Sequence, residues 1–315
     1  MFVIFCNNML TINLQPNKKI FFASDFHLGT PTYKRTHEGN PKGKRTRSSE
    51  REDKVIRWLE SIRNEAQVIF LVGDIFDFWF EYKTAIPKGF VRFQGKIAEL
   101  TDAGIEIIFF TGNHDMWMFD YFETELGVKI YRNPQDLQIN FQQNHVKTTP
   151  NPSFQGVELN TPLLPKASTL LGLGVVTNIL IGHGDGLGAG DYTYKFLKKI
   201  FSNKFFQFIF KIVHPDIGIG IASLWSRKSR SQNDNKTSNN DKQFLGEDEW
   251  LWQYCKEIEA TKHYDFYVFG HRHLPLDLPV LETSRYINLG EWLNYATFAI
   301  FDGEKLSLEI FEKTD

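Results

Sequence analysis

With 315 residues, 42% of them hydrophobic, the chain can bury a sizeable core, enough for one large or two ordinary domains. A formal net charge of −2 gives no global case for nucleic-acid binding, so electrostatic recognition must come from local patches. Two cysteines, Cys6 and Cys255, provide neither a disulfide framework nor a CxxC motif, which fits a reducing cytosol.

In chain order, residues 1–14 are mildly apolar but lack the basic start and small-residue cleavage site of a signal peptide. They read as an extension leading into strand, with Met9 as an alternative start. Nowhere do about 18 apolar residues run uninterrupted, so no bilayer span is expected. Residues 18–24 read as a short buried strand that ends at Asp25. Val55, Trp58, Leu59 and Ile62 have helical spacing. Residues 68–72 form a second buried strand running into Gly73 and Asp74. A helix over 90–100 follows, with Gly104 where it stops. Residues 105–110 make a third strand ending at Gly112 and Asn113. Strand and helix alternate, which argues for a parallel or mixed sheet with helices outside.

Residues 178–181 and 266–269 are again strands, ending at His183 and His271, and 287–289 and 297–301 look like closing strands. Two excursions interrupt the pattern. The first, about 142–167, is rich in Pro, Asn and Thr and reads as irregular. The second lies between His183 and His271. It opens with a helical, aromatic and basic stretch over 192–213 and continues as a polar loop over 227–242. A helix over 247–260 returns the chain to the core.

Five strand ends thus carry Asp25-Phe26-His27, Gly73-Asp74-Ile75-Phe76-Asp77, Gly112-Asn113-His114-Asp115, His183-Gly184-Asp185 and His271-Arg272-His273. Open α/β sheets bind ligands at the carboxyl ends of their strands, so one shared site is expected. Asp25, His27, Asp74, Asn113, His183, His271 and His273 offer nitrogen and oxygen donors and no sulfur. Two Mn²⁺ fit that set, and Fe, Zn or Co fit it as well. Two such ions, roughly 3.5–4 Å apart, activate water and hold phosphoryl oxygens. In D-x-H at a strand end, alternation would turn Asp25 and His27 to one face. Asp77, Asp115 and Asp185 are candidates to orient the imidazoles.

Singly these motifs are weak. D-x-H is usually a strand-end polar pair, GNHD fits a helix N-cap and H-x-H fits a surface pair. Jointly they are strong, because five of the nine histidines fall within them. His37, His145, His214 and His263 sit in unremarkable contexts.

The ordered set D-x-H, G-D-x-x-D, G-N-H-[DE], G-H and G-H-x-H resembles the calcineurin-like metallophosphoesterase family over most of the chain. The resemblance implies an α/β fold, a two-sheet mixed β-sandwich flanked by helices. It implies one catalytic domain over 1–315. Asp25, His27, Asp74 and His273 would hold one ion, and Asp74, Asn113, His183 and His271 the other. His114 would be the proton donor or phosphate contact, oriented by Asp115.

A narrower resemblance lies in the second excursion. Asp191, Tyr194, Ser229, Asn233 and Lys236 fall at positions similar to substrate-contacting residues of the UDP-2,3-diacylglucosamine hydrolase family of lipid A synthesis. That resemblance implies a helical lid inserted over 191–246 that receives two acyl chains. It also implies cleavage of a lipid-linked UDP-sugar to UMP and 2,3-diacylglucosamine 1-phosphate at the cytoplasmic face of the inner membrane. The best-known members of that family carry Arg where His114 stands, so another lipid-linked or nucleotide phosphoester remains an alternative substrate. A non-catalytic binding scaffold is a further alternative, disfavoured by the full ligand set.

Read on its own chemistry, 192–213 interleaves Lys195, Lys198, Lys199, Lys204 and Lys211 with phenylalanines. That pattern suits an anionic membrane surface or a lipid. Its bland reading is a helix pair whose phenylalanines pack on each other beneath a lysine face. The sequence sets no oligomeric state.

Overall fold

Strands that are apolar on both faces must be covered on both sides, and the chain meets that need with two stacked sheets and outer helices. The structure is a computed structural model that describes residues 9–29, 47–142, 174–188, 192–215, 217–218, 220 and 243–312. In chain order the first half contains β1 (Leu10–Leu14), β2 (Lys19–Ala23), α1 (Arg47–Ile62), β3 (Ala66–Val72), α2 (Val91–Asp102), β4 (Glu106–Phe110), α3 (Tyr121–Leu126), β5 (Lys129–Tyr131) and β6 (Gln135–Phe141). There follow β7 (Val175–Gly182), α4 (Tyr192–Phe201), α5 (Lys204–Ile212) and α6 (Trp250–Glu259). The chain closes with β8 (Phe266–Phe269), β9 (Pro275–Val280), β10 (Ser284–Leu289), β11 (Thr297–Phe301) and β12 (Leu306–Ile310).

One sheet has the order β12-β11-β2-β3-β4-β5, the other β1-β6-β7-β8-β10-β9. Within the first, β2, β3, β4 and β5 run parallel; within the second, β7, β8 and β10 do. Between the sheets lies a core that includes Phe22, Phe70, Val72 and Phe110 from one side and Ile139, Ile181, Val268 and Ile287 from the other. Ile69, Leu71 and Phe109 face the opposite way and bury Trp58, Leu59, Phe93 and Ile97 of α1 and α2. On the far side, Leu251 and Cys255 of α6 cover Leu180, Tyr267 and Phe269. The expected mixed two-sheet sandwich is the fold.

Several boundaries differ from the sequence reading. The helical stretch over 192–213 is a pair of helices, because the Asn203 side chain accepts a hydrogen bond from Phe205 N (2.8 Å) and caps a new start. The helix expected over 247–260 begins as a 3₁₀ turn at Gly246–Asp248. β9 holds Pro275 and Pro279, and it is an edge strand, where a missing N–H is tolerated. Of the 142–167 excursion only Gln142 is among the described residues, and the 227–242 loop lies outside them.

The phenylalanines of α5 form no buried core of their own, although the Phe205 and Phe206 rings meet edge-on with centroids 5.7 Å apart. Phe205, Phe208 and Ile212 are 64%, 61% and 70% exposed. Phe210 is half-buried. Its ring centroid lies 4.6 Å from Phe80, 4.9 Å from Trp117 and 6.5 Å from Phe78. Trp117 Nε1 donates to the Phe201 carbonyl (2.9 Å), and Lys198 meets the Asp185 carboxylate at 2.5 Å. No helix among the described residues is long and apolar enough to cross a membrane.

Candidate metal centre

Each of five loops leaves the carboxyl end of a parallel strand, and together they bring the seven candidate ligands to one edge of the sandwich. Asp25 and His27 follow β2, Asp74 follows β3 and Asn113 follows β4; His183 follows β7, and His271 and His273 follow β8. The loops are stitched together by backbone. Asp25 N donates to Gly73 O (3.0 Å), His27 N to Asp74 O (2.9 Å) and Gly270 N to His183 O (3.0 Å).

Strand alternation is not what pairs Asp25 with His27. β2 stops at Ala23, and both residues take left-handed backbone, with φ of 55° and 45°. Asp74, His271 and His273 do the same at 52°, 68° and 54°. Non-glycine residues rarely adopt this region, and holding one there costs about 1–3 kcal/mol, so the surrounding structure must impose it. The loops therefore aim the ligands by strained turns, and the D-x-H spacing pointed to the right pair by a different mechanism.

Two glycines make room. A Cβ on Gly112 would stand 2.2 Å from Asp74 Oδ1 and 2.6 Å from Asp74 N. A Cβ on Gly270 would stand 2.5 Å from Asp25 Oδ2 and 2.3 Å from Ser24 Oγ. Backbone passes directly against ligand carboxylates at both points, where any side chain would displace them.

The donor atoms converge in two overlapping groups. One atom each from Asp25, His27, Asp74 and His273 lie within 4.8 Å of one another. His27 Nε2 is 3.0 Å from His273 Nε2 and 3.6 Å from Asp25 Oδ1, and Asp25 Oδ1 is 3.1 Å from His273 Nε2. On the other side, His183 Nε2 lies 3.4 Å from Asp74 Oδ2 and 3.3 Å from Asn113 Oδ1. His271 packs edge-on against His183 with centroids 5.2 Å apart. Asp25 Oδ1 is buried and makes no hydrogen bond. Such an orphaned carboxylate oxygen among imidazoles suits a cation, and the donor chemistry fits hard or borderline divalent ions.

The charges agree. Burial alone would raise Asp25, but His27, His273 and His183 hold its carboxyl well below the usual range. Burial likewise opposes ionisation of Asp74, and His183 and His114 overcome it. Burial disfavours a charged His183, yet Asp74 and Asp25 push it up to about 10. The same negative field draws a divalent cation, which competes with that proton. Burial carries His27 down to about 3 and, with His183 alongside, His271 down to about 4. Both are thereby neutral imidazoles, the form that ligates. His183 Nδ1 lies 2.9 Å from the Val72 carbonyl, which turns Nε2 toward Asp74. Sequence gave no signal for this backbone partner.

His114 borders the cluster, its Nε2 4.0 Å from Asp74 Oδ2 and its ring 5.0 Å from His27. The expected contact from Asp115 is not made. Asp115 is fully buried and spends its carboxylate on backbone amides, accepting from Ile75 N (2.7 Å), Gly112 N (2.7 Å) and Phe76 N (3.4 Å). Burial, with Asp74 nearby, pushes it up to about 7. Asp115 thus joins two ligand loops and touches no reacting group. His114 is held instead by Asp77, whose carbonyl lies 2.9 Å from Nδ1 and whose carboxylate lies at 3.6 Å.

Of the expected substrate contacts, Tyr194 lies within α4, while Asp191, Ser229, Asn233 and Lys236 lie outside the described residues.

A two-sheet sandwich with oxygen and nitrogen donors gathered at its strand ends is the architecture of a metal-dependent phosphoester hydrolase. The chain belongs to the calcineurin-like phosphoesterase family, whose pattern matches residues 18–275. It is 36% identical over 304 residues to a UDP-2,3-diacylglucosamine hydrolase of Porphyromonas gingivalis, covering 93% of this chain and 98% of that protein. A UDP-2,3-diacylglucosamine hydrolase of Proteus mirabilis is 25% identical over 182 residues, 58% of this chain and 61% of its own. Among solved structures, the E. coli phosphoesterase Yfce aligns over 93% of this chain and 100% of its own at 13% identity, with a TM-score of only 0.36.

Proposed function

We propose that this chain hydrolyses the diphosphate of UDP-2,3-diacylglucosamine, releasing UMP and 2,3-diacylglucosamine 1-phosphate. One observation carries the reading: the likeness to the Porphyromonas gingivalis hydrolase runs through almost the whole of both chains. In this reading 1–315 is a single catalytic domain carrying an inserted lid over 191–246. Asp25, His27, Asp74 and His273 hold one divalent ion, and Asp74, Asn113, His183 and His271 the other, with Mn²⁺ the preferred metal. When bound, the pair supplies an activated water and offsets charge on the phosphoryl oxygens. His114, steadied by Asp77, contacts the phosphate and passes a proton to the leaving oxygen. Asp115 keeps the Asp74 and Asn113 loops in register.

The lid receives the acyl chains, with Asp191, Tyr194, Ser229, Asn233 and Lys236 contacting the sugar and phosphates. A cavity of about 590 Å³ beside His183, bordered by Arg132, Asp185 and Lys198, supports this reading as room for the nucleoside half. The exposed Phe205, Phe208 and Ile212, with Lys204 and Lys211 on the same helix, support docking of α5 on an anionic inner leaflet from the cytoplasm. Manganese-loaded protein should release UMP from the diacylated UDP-sugar. Cleavage of a generic aryl phosphodiester with no UMP from that substrate would overturn the substrate assignment and leave the phosphoesterase intact. That outcome would favour a second reading, another lipid-linked or nucleotide phosphoester, which the histidine at position 114 supports.

A further inference from the structure

We propose that the buried Arg272–Glu249 ion pair is a positioning device for His271 and His273, locking their loop to the start of α6 and to the returning end of the inserted segment. The inference rests on reading those histidines as metal ligands. Arg272 stands between them and is 2% exposed; Glu249 is fully buried. The guanidinium meets the carboxylate through two parallel hydrogen bonds, Nε to Oε1 at 2.6 Å and an η-nitrogen to Oε2 at 3.0 Å. The same η-nitrogen donates to the Gln243 carbonyl (3.3 Å), and the guanidinium carbon lies 4.6 Å from the Trp250 ring centroid.

A buried ion pair is a poor source of stability, since apolar side chains of equal volume usually do as well. Its advantage is direction, because a planar fork on a carboxylate fixes orientation as a methylene chain does not. Direction is what this loop needs. Its two histidines occupy left-handed backbone on either side of Arg272. From the cluster side, Asp25 Oδ2 accepts from His271 N (3.0 Å), and Asn288 Nδ2 donates to the Gly270 carbonyl (2.5 Å). Glu249 supplies the opposing hold from α6. The start of α6 also abuts the loop after His183, where a Cβ on Gly184 would stand 3.0 Å from Leu251. One helix end therefore backs three ligand histidines and joins them to Gln243, the point where the inserted segment returns.

Calorimetric titration of Mn²⁺ into chelator-stripped full-length protein, paired with melting temperature, tests the idea. Arg272→Met and Glu249→Gln should each weaken Mn²⁺ binding about 10–100-fold, the range for partners that orient metal ligands. Arg272→Lys should recover only part of this, having the charge without the fork. The double variant Arg272→Met/Glu249→Leu should melt at the wild-type temperature and still bind Mn²⁺ weakly. Arg285→Ala, which breaks an exposed pair with Asp277, should change neither readout. Wild-type Mn²⁺ affinity in the single variants, or in a double variant with wild-type melting, would overturn the positioning role alone. A wild-type protein that binds no Mn²⁺ would overturn the ligand reading beneath it.

Discussion

The ligand loops and α5 solve opposite problems with neighbouring stretches of chain. In the loops nearly everything is buried, and strained backbone is held by amide-to-carbonyl and amide-to-carboxylate bonds from two or three directions. In α5 no residue is buried; the helix touches the body through half-buried Phe210 and through Lys211, whose Nζ lies 4.4 Å from the Phe119 ring centroid, and leaves Phe205, Phe208 and Ile212 in water. Rigidity suits chemistry that tolerates little displacement, while an exposed phenylalanine face would suit the proposed lipid surface. A fold can keep both because the strain and the exposed apolar face sit on separate elements, with α4 between them held to the body by Trp117 to Phe201 and Lys198 to Asp185.

That contrast can be broken at the loop end most severely. Asp74→Ala removes the carboxylate common to both proposed ion sites, a loss of several kcal/mol of charge stabilisation, so UMP release should fall about a thousandfold or more. Elemental analysis should show the bound metal falling with it. Gly112→Ala is smaller chemically and nearly as damaging. Its Cβ must displace Asp74, and a displacement near 1 Å costs about a hundredfold in rate. Urea unfolding should show a stability loss of about 1–3 kcal/mol from the same overpacking.

At the helix end the effects should separate. Combined Phe205→Ser, Phe208→Ser and Ile212→Ser should weaken sedimentation with anionic vesicles at least about tenfold, since each ring or branched chain loses its apolar contact with lipid. Hydrolysis of a soluble aryl phosphodiester should stay within about twofold, as surface changes remote from a site usually do. Equal loss on both substrates would mean that α5 supports the metal loops and is not a docking face.

The smallest effect is expected where the two regions meet. Burial opposes the ionised form of Asp185, but Lys198 holds its carboxyl below the ordinary 3.8. A depressed carboxyl stabilises the fold above its ordinary value and loses that contribution as pH falls through the folded value. Lys198→Met should therefore move the acid-unfolding midpoint upward by a few tenths of a pH unit, with no change near neutrality in the pH of maximum stability. Circular dichroism across an acid titration reads this directly.

Much of the site was legible because chemistry restricts which side chains can do the work. Aspartate, asparagine and histidine after apolar runs identified seven residues that the fold does bring together. The means of bringing them together was not legible. Nothing in D-x-H announces two left-handed residues, since the restraint comes from Gly73 and Asp74 on a separate loop. Asp115 reads in sequence as a partner for the adjacent His114, whereas its real partners, Ile75 and Gly112, are set by tertiary contact. The helix break at Asn203 was readable from a good capping residue in mid-helix. The short edge strand β9 was obscured by its prolines, and β5 is only three residues long.

His27 and His273 face each other at 3.0 Å although 246 residues separate them in the chain. A polypeptide emerging from the ribosome therefore contains no miniature version of this centre. His27 follows β2 and His273 follows β8, which belong to different sheets, so those two strands must be stacked before the two imidazoles can meet. A cation held as proposed, by both imidazoles at once, would therefore require the two sheets to have met.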